Sequence, residues 1–141
     1  MAHLYGERVE TEELLARAVT GVLLVCCGLL LLWTARAAAH GRLPRNRLAG
    51  IRTRATMASD EAWLIGHQAA RRLGEWAGGC FVAAGAVAAM PGSPWVFVGA
   101  ALLATVVAIA LVLRAGVVAS KAAHAHHRTT PDAQPSGRRD T

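Results

Sequence analysis

The charges of this chain lie between its apolar stretches, not among them. Ala18–Ala35, Trp76–Met90 and Trp95–Leu113 hold no Asp, Glu, Lys or Arg. A soluble domain distributes polar and apolar residues along amphipathic elements, and this chain segregates them. At 54% hydrophobic and 17% charged residues it is too apolar for general disorder. Its three cysteines, Cys26, Cys27 and Cys80, all sit in apolar blocks, so they form no secreted disulfide framework. The class that remains is an all-α integral membrane protein.

A helix crosses a hydrocarbon core of about 30 Å with about 20 apolar residues. The first and third blocks reach that length, with Trp33 and Trp95 near their ends, where indole rings favour the interface. The second is shorter and rich in Ala and Gly, and becomes long enough as residues 73–90 with Glu75 at the boundary. Pro91-Gly92-Ser93-Pro94 then reads as a tight turn, since proline cannot continue a helix. The expected architecture has three transmembrane helices (18–35, 73–90 and 95–113), the last two a tight hairpin. A short juxtamembrane helix is expected in the loop before the second span.

Arginine placement sets the expected orientation at the cell membrane. The 36–72 loop holds Arg36, Arg42, Arg45, Arg47, Arg52, Arg54, Arg71 and Arg72 against Asp60 and Glu61. The segment after 113 holds Arg114, Lys121, Arg128, Arg138 and Arg139, whereas the 1–17 segment sets Arg8 and Arg17 beside Glu7, Glu10, Glu12 and Glu13. Three spans put the basic loop and the basic 114–141 tail together in the cytoplasm, with 1–17 and the 91–94 turn outside. The tail reads as disordered toward its end, where Pro, Ser, Gly and charge accumulate. A cleaved signal peptide is the rival reading of the first block, because Ala37-Ala38-Ala39 resembles a small-residue cleavage site. The acids that precede the block argue against it.

The loop carries the most information. Gly41 and Pro44 interrupt its first part. Ser59 is placed to cap a helix whose first turn holds Asp60 and Glu61, where acids favour the dipole. Trp63, His67, Ala70 and Gly74 share a face of that helix, which can run on into the second span. Between lies RNRLAGIRTRATMASDEAW, in which Asn46, Gly50, Ile51, Arg52, Thr53, Thr56, Ser59, Glu61 and Trp63 fall in the register of N-x-x-x-G-I-R-T-P-W-T-L-S-S-E-E-V-W, with His67 following. This segment (46–67) resembles the signature of the SdpI family of bacterial membrane proteins. The departures are Arg54 and Ala55 in place of Pro-Trp, Met57 in place of Leu, and Gly66 and Gln68 around His67.

The resemblance implies a multi-pass membrane protein of the immunity type, resisting a membrane-active peptide toxin or signalling through its cytoplasmic loop to a regulator. The residues themselves admit two roles. Arg52 can bind lipid phosphate or pair with Asp60 or Glu61. Thr53, Thr56 and Ser59 can form an anion or docking surface at a helix start. Trp63 can anchor at the interface, and His67 can titrate near neutrality. The other account is structural: Gly50 turns the chain, Ser59 caps, and Trp63 and His67 pack. Anionic headgroups are the expected partner of the basic loop, in preference to nucleic acid. Gly74-x-x-x-Gly78 and the Ala100/Ala104/Ala108 series suit hairpin packing or a homo-oligomer. His124, His126 and His127 carry little weight as a metal site. No nucleophile–base pair, phosphate loop or cofactor motif is visible, so a non-enzymatic role without cofactor is expected. A membrane scaffold or accessory subunit, and a transporter subunit, stand as alternatives.

Overall fold

A computed structural model describes residues 2–90 and 92–129, with side chains from Glu10 onward. The described residues form three helices and no strand: α1 (Ala2–Ala39), α2 (Asp60–Val87) and α3 (Pro94–Thr129). The helix α2 is the centrepiece. Both α1 and α3 pack along it, and they scarcely meet each other.

The bundle is built inside out relative to a soluble protein. Its buried positions are small: Ala62, Ala70, Ala77 and Ala84 in α2, and Ala104, Ala108, Ala115, Ala119 and Ala123 in α3. Leu23, Leu30, Leu102, Leu103, Val106 and Leu113 face outward. Small residues at helix contacts with large apolar ones outside is how helices pack in lipid, where burying Leu against a neighbour gains little over leaving it in hydrocarbon. By length and composition, α1 (from Glu10) and α3 can cross a membrane. The charge-free runs from Arg17 to Arg36 and from Trp95 to Arg114 each rise about 28 Å. Residues 73–87 of the expected middle span lie in α2, which falls short of that measure because Ala, Gly and the charges of its first half dilute its hydropathy.

Two glycine pairs bring α1 and α2 into backbone contact. A Cβ on Gly28 would stand 2.6 Å from the Gly78 carbonyl oxygen, and one on Gly85 would stand 2.6 Å from that of Gly21. Gly21 and Gly28 are seven residues apart, as are Gly78 and Gly85, so each pair stays on one face over two turns. Gly74 adds a third close approach, against Ala35. The Ala104/Ala108 pair of the expected small-residue series is buried, while Ala100 is half-buried.

The helix ends have identifiable causes. Gly41 takes φ 71°, Arg42 N–H donates to the Ala37 carbonyl at 2.8 Å and Gly41 N–H to that of Ala38 at 3.2 Å, a Schellman ending for α1. Ser59 caps α2, its hydroxyl oxygen accepting from Ala62 N–H at 3.0 Å. Pro94 starts α3 in the first-turn position where its missing N–H costs nothing. Arg17 closes the opposite end of α2, donating to the carbonyls of Met90 at 2.9 Å and Gly92 at 3.1 Å, with Phe97 5.9 Å from its guanidinium carbon.

The helices α1 and α3 exceed the expected bounds of 18–35 and 95–113, whereas α2 starts before the expected 73–90 and stops short of its end, at Val87. The expected juxtamembrane helix and the second span are one continuous α2. Residues 114–129, expected as the start of a tail, extend α3, because alanines favour helix and Ala115, Ala119 and Ala123 pack on α2. The disordered end expected of the tail lies outside the described residues, as do Pro91 of the turn and the side chains of residues 1–9.

Candidate functional site

The segment between α1 and α2 folds back on the start of α2. It has no strand or helix of its own, so its backbone groups must find other partners. Asn46 supplies the first turn: its side-chain oxygen accepts from the Leu48 and Ala49 N–H groups, each at 2.9 Å, and its amide donates to the Pro44 carbonyl. Gly50 follows with φ 96°. Next, Thr53 and Thr56 bond reciprocally, each backbone N–H donating to the other's hydroxyl oxygen, at 3.0 and 3.2 Å. The Thr56 hydroxyl lies 2.7 Å from the Ile51 carbonyl, and this side chain is wholly buried.

Trp63 and His67 are the posts on which this loop hangs. Both are buried, and their rings meet in a tilted pair, 4.1 Å between centroids and 40° between planes. The Trp63 indole N–H donates to the Leu43 carbonyl at 3.0 Å. The Ile51 N–H donates to His67 Nε2 at 2.8 Å, and Nδ1 lies 2.8 Å from the Trp63 carbonyl oxygen. A carbonyl can only accept, so Nδ1 carries the proton and Nε2 presents a lone pair: His67 is neutral and in one tautomer.

Burial also pushes the His67 pKa below its usual 6.5, against the smaller opposing effect of the Trp63 carbonyl. The unfolded chain therefore takes up this proton first as pH falls. The stability that neutral His67 contributes is complete above about pH 6.5 and is lost as pH drops through the folded value. We expect Trp63 emission from a protein lacking the other tryptophans to stay constant above pH 7 and to shift red on acidification. His67→Asn should remove most of that pH dependence; an unchanged profile would exclude His67 as its source.

The structure thus gathers Asn46, Gly50, Thr53, Thr56, Ser59, Trp63 and His67 into one knot. It leaves Arg52 and Glu61 on the surface. The expected pairing of Arg52 with Asp60 or Glu61 does not occur, because the loop's path gives both acids to others. Asp60 pairs with Arg45 at 2.9 Å, Glu61 with His126 at 3.2 Å, and Arg52 donates to the Arg47 carbonyl. The hydroxyls of Thr53, Thr56 and Ser59 are turned inward to backbone partners and present no open anion site. Trp63 is buried, whereas Trp33, Trp76 and Trp95 are exposed as membrane-interface anchors are. Arg45 and His126 are structural partners that spacing alone did not single out. Ala55, where the resembled pattern has Trp, is buried against Ala62 and Ala123, and its small size lets α3 approach.

No group of three or more His, Cys, Asp or Glu side chains among the described residues could hold a metal. An apolar chamber of about 140 Å³ opens below the knot, with Ile51 and His67 at its upper wall. Comparison with curated proteins gave no match, and comparison with solved structures gave none. The model of the SdpI/YfhL protein family matches residues 42–117, a stretch that takes in the whole knot, α2 and the apolar part of α3. With more than half of its length matched, the chain belongs to the SdpI/YfhL protein family.

Proposed function

We propose that this is a non-enzymatic immunity protein of the membrane, protecting a cell against a membrane-active peptide toxin, with the knot between α1 and α2 as its cytoplasmic working surface. The observation that carries the reading is the family match over residues 42–117, together with a bundle that hides Ala and Gly and exposes Leu and Val. The knot keeps Arg47, Arg52 and Arg54 exposed on a rigid base. A fixed basic surface of this kind suits a protein regulator or an acidic peptide segment.

The proposed topology has three spans, with α2 crossing between its neighbours and both chain ends of the knot in the cytoplasm. Packing supports it, since Ala55 of the loop and Ala62 of α2 touch Ala123 of α3, and Glu61 meets His126. The basic loop and the basic end of α3 therefore belong on one side, as the distribution of arginine requires.

Deleting the gene should raise sensitivity to membrane-active peptides by about tenfold, and Arg47→Ala with Arg52→Ala should do so without loss of folded protein. Unchanged sensitivity in both strains would end the immunity reading. In a background without native cysteines, Arg54→Cys should label only from inside the cell and Ser93→Cys only from outside. A second reading, a scaffold that docks a cytoplasmic regulator, draws on the same exposed arginines. It would be preferred if crosslinking at Arg54 captured one protein partner while peptide sensitivity stayed normal.

A further inference from the structure

The chamber under the knot is walled by all three helices: Leu31 of α1, Ala70 and Gly74 of α2, and Val112 and Ala115 of α3, with Ile51 above. Its lining is almost wholly apolar. It opens sideways, because α1 and α3 both pack on α2 and leave a gap between themselves. An apolar cavity of this kind does not hold ordered water, which needs polar partners. In a bilayer the gap faces hydrocarbon.

The rim is the opposite in character. Arg71 lines the chamber, and Arg36 and Arg72 gather with it around Glu75 at the same end of the bundle. Glu75 is the one acid in this belt, and its Oε1 already accepts from Arg36 Nε at 2.9 Å and Arg71 Nε at 3.0 Å. That leaves most of the Arg71 donors without a partner among the described residues. A guanidinium carries five N–H donors in a fork that fits phosphate oxygens.

We propose that this chamber holds part of one acyl chain of an anionic phospholipid, whose phosphate lies against Arg71. The apolar wall takes the chain, and the basic rim selects the headgroup by charge. The site rests on the reading of the chain as a membrane protein, but not on immunity, and its test reads lipid rather than cell survival.

The experiment uses the full chain in nanodiscs of phosphatidylglycerol or phosphatidylcholine, released into mild detergent and weighed by native mass spectrometry. About one retained phosphatidylglycerol per chain is expected, held at least tenfold better than phosphatidylcholine. Val112→Trp, which fills the chamber from its half-exposed wall, should lower retention at least tenfold while circular dichroism and elution volume stay unchanged. Arg71→Gln should abolish the preference between the two lipids. Equal retention by Val112→Trp, or equal retention of both lipids by the unaltered protein, would overturn the proposal. So would a Val112→Trp protein that alters peptide sensitivity while keeping its lipid, since the chamber would then serve a peptide.

Discussion

Gly50→Ala should detach the signature loop from α2. At φ 96° an L side chain is strained, at a cost of about 1–3 kcal/mol. A Cβ there would also stand 2.7 Å from His67 Nε2 and 2.8 Å from the Trp63 ring. Both neighbours are fixed by backbone partners, so neither can give way without losing a hydrogen bond. Overpacking of that kind adds about 1–3 kcal/mol more. With Trp63 as the sole tryptophan, its emission should move to the red, and trypsin should cut at Arg47, Arg52 and Arg54 much faster than in the unaltered protein. Gly116→Ala, where an added Cβ meets nothing within 4 Å, is the control and should change neither signal. A Gly50→Ala protein with unaltered emission would show that the knot is not held as described.

Gly78→Leu should separate α1 from α2. Its Cβ would meet the Gly28 carbonyl oxygen at 2.7 Å and the Leu32 backbone nitrogen at 3.0 Å, and backbone atoms of a helix cannot swing aside. A loss of about 3 kcal/mol is expected, at the upper end of overpacking effects. Gly79→Leu, one residue on, adds a side chain where nothing lies within 4 Å. Titration with sodium dodecyl sulfate should therefore unfold Gly78→Leu at markedly lower detergent fraction and leave Gly79→Leu near the unaltered midpoint. Equal midpoints for the two would refute the close approach of α1 and α2.

What the sequence discloses here is mostly local. Ser59 as a cap and the shared face of Trp63 and His67 each depend on a few neighbouring residues, and each is found where expected, while Gly41, read only as a break in the loop, ends α1 itself. The family resemblance, too, was legible from the spacing of Asn46 to His67, and the match over 42–117 agrees with it. Long-range choices were not legible. Whether Asp60 meets Arg52 or Arg45 depends on the path of an irregular loop, which no periodicity encodes. The extension of α3 past Arg114 escaped because hydropathy falls there while helix propensity does not. Gly21, Gly28 and Gly85 look unremarkable along the chain, and their purpose emerges only when two helices are laid side by side.

The central position of α2 has a consequence for biogenesis. It is the least apolar of the three helices, yet it bears Trp63 and His67 and is the one that both neighbours contact. Its glycine contacts with α1 can form as soon as α2 is made, but its alanine contacts with α3 do not exist until the last helix has emerged. Assembly around α2 is thus sequential: the Arg17 clasp on Met90 and Gly92 can close before α3 is made, and the alanine seam only afterwards. A chain halted before α3 would leave the face of α2 that bears Ala62 and Ala70 uncovered.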